Sequence, residues 1–308
     1  MAAVKVVVFG YDQLLLTALE VLASAGAEIV AAVFPSVRQD ARANEIREEV
    51  RGRGIETIEQ PLKCDSNGFA ERISSLEPDL IFVWSYPMIL AKDIIGIPRL
   101  GCMNLHMGLL PHYRGVNGLK WALINDEAQT GVTLHYMDEG IDTGDMISRI
   151  SFPLGEEDDL VSLMKKARFA GVHLINNVWP QIVAGTLEAI PQDEAEAAYY
   201  SAAMEPAAEI DWSWSARKIH NLIRATVFPF EGVHTIYGRE KIVVRRSAPV
   251  EIDSMEEPGT VLSIGANGVE VAAGSGRILI TAVEADANGN EAPPISTGIK
   301  VGDRLGSG

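Results

Sequence analysis

Cysteine is nearly absent from the 308 residues: Cys64 and Cys102 are the only two, too few for a disulfide framework. Neither has a partner Cys or His at zinc-finger spacing, so a reducing, cytoplasmic setting is the expectation. Long apolar runs are missing as well. The opening MAAVKVVVFG holds one Lys in a short apolar run that breaks at Gly10, without a signal-peptide core or small-residue cleavage site. No stretch reaches the ~18 uninterrupted apolar residues of a membrane span, so an unsecreted protein with no membrane partner is expected. Cations are scarce: 26 Lys plus Arg stand against 42 Asp plus Glu, a formal charge of −16. Such a chain repels a phosphate backbone unless its cations gather on one face, which argues against generic nucleic-acid binding. Disorder is not expected, because 47% hydrophobic and 22% charged residues suffice to bury a core. The length suggests two domains.

What is present begins with short Val- and Ile-rich runs separated by helix-period stretches. Residues 4–9, 29–33, 80–84 and 103–106 are apolar on both faces, the pattern of strands buried in a parallel sheet. Between them, Leu15, Leu19 and Leu22 repeat at helical spacing, and so do Ala70, Ile73 and Leu76. The series predicts an α/β fold, an open, mostly parallel, Rossmann-like sheet that binds ligands outside the carboxyl ends of its strands. Residues 130–137 alternate, and after the turn DEGIDTGD residues 146–152 form a second strand, a hairpin-like pair that extends the sheet. A long helix over 157–184 follows. Residues 191–208 are rich in Ala, Glu and Asp with little periodicity, as in a linker, which divides a 1–190 domain from a 209–308 domain. From 233 onward, short β-patterned runs broken by Gly predict a smaller β-barrel of OB-like type.

The chemistry concentrates in NLHMGLLPHYRG, residues 104–115. Asn104 and His106, two apart at the carboxyl end of a strand, project to the same side. The 138–145 turn can bring a carboxylate to that imidazole. An amide to donate to an oxyanion, a His to handle protons and an Asp to polarise it together suit attack by a neutral amine on a carbonyl, without a Ser or Cys nucleophile. Gly10 lacks the second and third glycines of a dinucleotide loop, so NAD is not expected. His106, His112, Asp138, Asp142 and Asp145 lack the spacing of a calcium loop or a paired-His metal site, so no metal is expected. The other histidines, His112, His135, His173, His220 and His234, read as surface or packing residues.

NLHMGLLPHYRG, WALIN, TGVTLHYMDEGIDTGDMI and EIDWSWSARKIHNLIRA together resemble the formyltransferases that use 10-formyltetrahydrofolate, a family that includes methionyl-tRNA and amino-sugar formyltransferases. The opening VVVFGYDQLLLTALEVL and the closing GDRLGSG are most similar to the domain that formylates an amino-arabinose nucleotide in polymyxin resistance. The resemblance implies a catalytic trio of Asn104, His106 and Asp142. It implies that 10-formyltetrahydrofolate, as cosubstrate, sits over the 84–90 loop (Trp84, Tyr86, Met88, Ile89, Leu90) and against the following turn (Gly140, Ile141). Trp84 and Tyr86 either stack on the pterin or serve as core aromatics. Arg114, Gly115, Val116, Asn117 and Gly118 fall on the acceptor side, where Arg114 either binds an anion or braces the loop.

Three positions depart from the family pattern. Gly108 replaces the usual Ser of SLLP, which removes a hydroxyl near the formyl group; Gly118 replaces a frequent Pro and should loosen its loop. Val116 stands where the arabinose enzyme has an arginine. A tRNA acceptor requires a track of cations, yet residues 34–62 balance five Arg (38, 42, 47, 51, 53) against six acids, and residues 205–308 hold more acids than cations. A small amine, most naturally on a nucleotide-linked sugar, is therefore the favoured acceptor. Methionyl-tRNA is the alternative, and a non-catalytic folate-binding relative the second.

Overall fold

The computed structural model describes residues 3–62 and 68–306; Cys64 lies outside them. The chain runs β1 (Lys5–Phe9), α1 (Gln13–Ser24), β2 (Glu28–Pro35), α2 (Ala41–Gly52), β3 (Thr57–Gln60), α3 (Phe69–Ser74), β4 (Leu80–Trp84), α4 (Lys92–Ile95) and β5 (Cys102–His106). It continues through β6 (Arg114–Gly115), α5 (Gly118–Ile124), β7 (Gln129–Tyr136), β8 (Met146–Pro153), α6 (Leu160–Ala184) and β9 (Tyr199–Tyr200). α7 (Ala216–Arg224) and strands β10 (Val233–Tyr237), β11 (Glu240–Val250), β12 (Val261–Gly265), β13 (Gly268–Ala272), β14 (Arg277–Glu284) and β15 (Glu291–Ala292) complete it.

Seven strands form one sheet in the order β3-β2-β1-β4-β5-β7-β8. The first five pair in parallel and β7 joins β5 antiparallel, so the Rossmann-like reading holds and the hairpin-like pair does extend the sheet. β4 is buried at every residue because helices cover both faces, whereas β8 at the edge buries none. Asp12 caps α1 by accepting from the Leu14 N–H at 2.8 Å, and Asp40 caps α2 by accepting from Ala43 at 2.9 Å. The short strand β3 has no counterpart in the sequence reading. It is a four-residue edge, too short for period-two patterning to register.

The chain divides into two compact units, and the division is not a single cut: residues 1–118, 130–152 and 165–200 form the first, 119–129, 153–164 and 201–308 the second. In the second unit, β10-β11-β14-β13-β12 form an antiparallel sheet with β15 added beside β14. The tail meets both edges, since Leu305 N–H donates to Gly259 O and Gly306 N–H to Ile236 O, each at 2.9 Å. That is the closure a small barrel needs to hide its edge strands. Buried Arg224 explains why the 119–129 and 153–164 segments belong here: it donates to Gly155 O at 2.9 Å, beside Asn221, which donates to Asp126 at 2.9 Å.

His220, on the same helix, is buried, and burial together with the charges of Arg224 and Arg217 pushes its pKa down to about 4. The fold therefore holds the neutral ring. Its stabilisation is complete above the ordinary histidine pKa of roughly 6.5 and is lost as pH falls toward about 4. Denaturant titrations of parent and His220→Gln at several pH values should show a steeper acid loss in the parent. Parallel curves would remove His220 as the cause.

Candidate active site

β5 ends at the crevice with Asn104 and His106 on one face, and antiparallel β7 sets His135 opposite Asn104 and Thr133 opposite His106. Directly opposed residues share a face, so four polar side chains converge. The fifth, Asp142, lies in the turn between β7 and β8 with a left-handed φ of 55°. Its Oδ2 accepts from the Gly115 N–H at 2.8 Å and stands 3.5 Å from His106 Nδ1. Its Oδ1 accepts from Asn104 Nδ2 at 3.3 Å and lies 3.4 Å from His135 Nε2. The trio expected from the sequence is thus brought together in the first unit.

Main-chain carbonyls only accept, and this assigns the ring protons. His106 Nε2 donates to Tyr113 O at 2.6 Å, leaving Nδ1 as the basic nitrogen that faces Asp142. His135 Nδ1 donates to Tyr136 O at 2.7 Å, so Nε2 accepts from Asn104 Nδ2 at 3.2 Å. Burial pushes the His106 pKa below its ordinary value, against the upward pull of the Asp142 carboxylate. Burial alone would raise Asp142. At the low pH where the carboxyl would take a proton, the positive charge of protonated His106, together with the Gly115 N–H, outweighs it and holds the carboxyl well below the usual carboxylate range. At neutral pH the site therefore contains an ionised Asp142 beside a neutral His106. A proton taken on Nδ1 would create an imidazolium next to that carboxylate.

The residues expected around a heterocycle separate into two groups. The side chains of Trp84 and Leu90 are buried in the core; of the two readings for Trp84, its full burial fits packing. Tyr86 is half-buried, edge-on to Phe9, and its hydroxyl donates to Gln60, which in turn donates to Ile89 O at 3.1 Å. Met88 is half-buried beside Ser36, while Ile89 (75% exposed) and Ile141 (56%) project from the two loops, next to exposed Gly140. A shallow depression lined by Lys92, Ile95, Gly96 and residues 138–140 borders them.

On the acceptor side the expectation for Arg114 needs correcting. Its side chain is 0% exposed and its guanidinium is engaged by Gln192 at 3.0 Å, by both Glu194 oxygens at 2.6 and 2.9 Å and by the Tyr199 hydroxyl at 2.7 Å. It braces the loop and does not present a charge to an acceptor. Gly118 also differs from expectation: a Cβ there would lie 2.6 Å from Met107 O, so the position is tightly packed and not loose. At Gly108 a Cβ would come within 2.8 Å of His106 Nε2; the missing side chain gives the imidazole its space. Val116 and Asn117 are exposed, Asn117 with φ 60°.

Sequence reasoning missed four participants. His135 was placed among packing residues, yet it is buried against Asn104 and Asp142. Thr133 holds the 108–110 turn, donating to Gly108 O at 2.8 Å and accepting from Leu110 N–H at 3.1 Å. Gln192 and Glu194 come from the stretch read as linker. The register of β7 on β5 would have revealed the first two, since the alternation of 130–137 already put Thr133 and His135 on one face. Among the described residues no group of three or more His, Cys, Asp or Glu is placed to hold a metal ion, and no helix is long and apolar enough to cross a membrane.

The sequence matches the formyl transferase family over residues 4–179 and the formyl transferase C-terminal domain over 204–292. The chain belongs to the formyl transferase family. A methionyl-tRNA formyltransferase of Marinobacter nauticus is 33% identical to this formyltransferase over 284 residues, 91% of each chain. The bifunctional polymyxin resistance protein ArnA of Wigglesworthia glossinidia brevipalpis is 33% identical over 262 residues, 84% of this chain and 40% of that one. An N-formyltransferase from Helicobacter canadensis, solved in complex with folinic acid and dTDP-3-aminofucose, shares the fold with a TM-score of 0.71 at 20% identity, covering 90% of this chain and 99% of that one. The chemistry of this formyltransferase is formyl transfer; its acceptor is a separate question.

Proposed function

We propose that the formyltransferase moves the formyl group of 10-formyltetrahydrofolate to the primary amine of a small acceptor, a nucleotide-linked amino sugar. The donor supplies a carbonyl carbon bound to a nitrogen leaving group. Asn104, once one of its N–H groups turns from His135 or Asp142, donates to the carbonyl oxygen as it gains charge. His106 Nδ1 takes the proton that the attacking amine must lose, Asp142 stabilises the resulting imidazolium, and the same proton passes to the folate nitrogen as its bond to the formyl carbon breaks. The exposed Ile89 and Ile141 suit a flat heterocycle, and the solved Helicobacter canadensis protein holds a folate.

The observation that carries the choice of acceptor is the state of the arginines around α2. Arg42 pairs with Glu45 at 3.3 Å, Arg47 with Glu59 at 3.1 Å, Arg51 with Glu48 at 2.7 Å, and Arg53 with Glu20 at 2.9 Å and Glu49 at 2.6 Å. Among the described residues around α2, four of the five arginines counted in the sequence are thus paired with carboxylates, which supports an acceptor that does not rely on a track of free cations there. The Helicobacter canadensis protein, solved with dTDP-3-aminofucose, supports this reading of the acceptor class. A methionyl-tRNA acceptor is favoured instead by the relatives of that name. Formylation of methionyl-tRNA and of 3-amino and 4-amino sugar nucleotides, compared at matched enzyme and at low and moderate salt, decides between them. The sugar nucleotides should be turned over with little salt dependence. Efficient tRNA formylation that falls steeply with salt would overturn the choice.

A further inference from the structure

Gln192 lies outside every element of the main sheet, is buried, and uses both ends of its amide on the active site. Its Nε2 donates to the main-chain carbonyls of Asp142 and Gly144, each at 2.7 Å. Its Oε1 accepts from Arg114 Nε at 3.0 Å. Arg114 is held in turn by Glu194 and Tyr199, and the parallel pairing of β6 with β9 sets Gly115 against Tyr200. Gly115 N–H then reaches the Asp142 carboxylate at 2.8 Å. One amide side chain therefore joins the two supports of Asp142, the turn that carries its backbone and the strand that donates to its side chain.

Asp142 needs such support. A non-glycine residue at φ 55° is held there by its surroundings, and its own backbone carbonyl would otherwise be free to reorient. Two N–H bonds from one planar amide fix the Asp142 and Gly144 carbonyls relative to each other, which sets the direction of the carboxylate toward His106 Nδ1.

We propose that Gln192 is a positioning residue for formyl transfer: it locks the Asp142 turn to the Arg114–Gly115 strand and so sets the distance from the Asp142 carboxylate to His106. The inference rests on the reading of Asn104, His106 and Asp142 as the catalytic groups. Gln192→Glu is nearly isosteric, keeps an acceptor for Arg114 and replaces the two N–H donors with an oxygen that repels the carbonyls of Asp142 and Gly144. Gln192→Met keeps the volume and removes both functions.

The expected result for both variants is a kcat reduced by about 30-fold or more, within the range a misplaced general base costs. The KM for the folate should change little. His106 is faced by Asp142, His135 and the Tyr113 carbonyl. Withdrawal of the carboxylate should therefore move the acid limb of the kcat–pH profile to lower pH. A purely structural Gln192 would lower the active fraction and the thermal midpoint but leave that limb in place. Parent-like kcat and an unmoved limb in either folded variant overturn the proposal, as does failure of both to fold, since the role assigned is local. An inactive parent would instead overturn the functional reading itself.

Discussion

Asp142→Asn should lower turnover by about 10²- to 10³-fold, in line with loss of an oriented acid–base pair, while the protein remains folded. The Asn side chain has nearly the volume of Asp, so the turn keeps its packing. What disappears is the charge that faces His106 Nδ1 at 3.5 Å. An amide nitrogen turned toward the Gly115 N–H would also set donor against donor, and the only relief is a flip that spoils the contact with Asn104. In the parent, kcat should rise with pH through a group whose pKa lies below the ordinary 6.5 of histidine, because burial outweighs Asp142 and only neutral His106 accepts a proton. In the variant that limb should move further to the acid side, since the one interaction that raises the His106 pKa most is gone. Steady-state kinetics across pH on both proteins provide the measurement. Turnover within a few-fold of the parent would make Asp142 a structural turn residue.

Much of this site is visible in the sequence because it depends on local rules. Strand β4 is apolar on both faces, and a two-residue step along β5 places Asn104 and His106 together without knowledge of any neighbour. His135 depends on which strand lies beside β5 and in what register, and alternation within one strand does not contain that information. Arg114 shows the same limit from the other side. A cation beside a glycine reads as either an anion contact or a brace until Glu194, far along the chain, is found to hold it. Gln192 lies in a segment with no period at all, so only folded distances reveal its part. For the arginines of residues 34–62, the charge balance counted in the sequence takes the form of ion pairs in the structure, a pairing that no count along the chain contains.

Gly115→Ala tests the β6–β9 support directly and should cost both stability and activity. Gly115 has φ 96°, and a Cβ there would lie 2.2 Å from Tyr200 O, well inside contact distance. The backbone strain alone is worth about 1–2 kcal/mol for an alanine in a left-handed conformation. The collision adds to it, because the obstacle is main chain and cannot swing aside. The expected destabilisation is about 2–4 kcal/mol, the range of mutations that combine strain with a displaced backbone. Gly26 supplies the control: its φ is 93° and nothing lies within 4 Å of the added carbon, so Gly26→Ala should show the strain alone. Activity separates the two variants further. Parting β6 from β9 withdraws the Gly115 N–H from Asp142 and unstacks Tyr113 from Tyr200, whose rings lie 5.1 Å apart. Folded Gly115→Ala should therefore lose about 10²-fold or more in kcat, as the role proposed for Asp142 requires, whereas Gly26→Ala keeps the parent value. Equal denaturation midpoints for the two variants, together with a parent-like kcat in Gly115→Ala, would show that the close approach of Tyr200 has no part in holding Asp142.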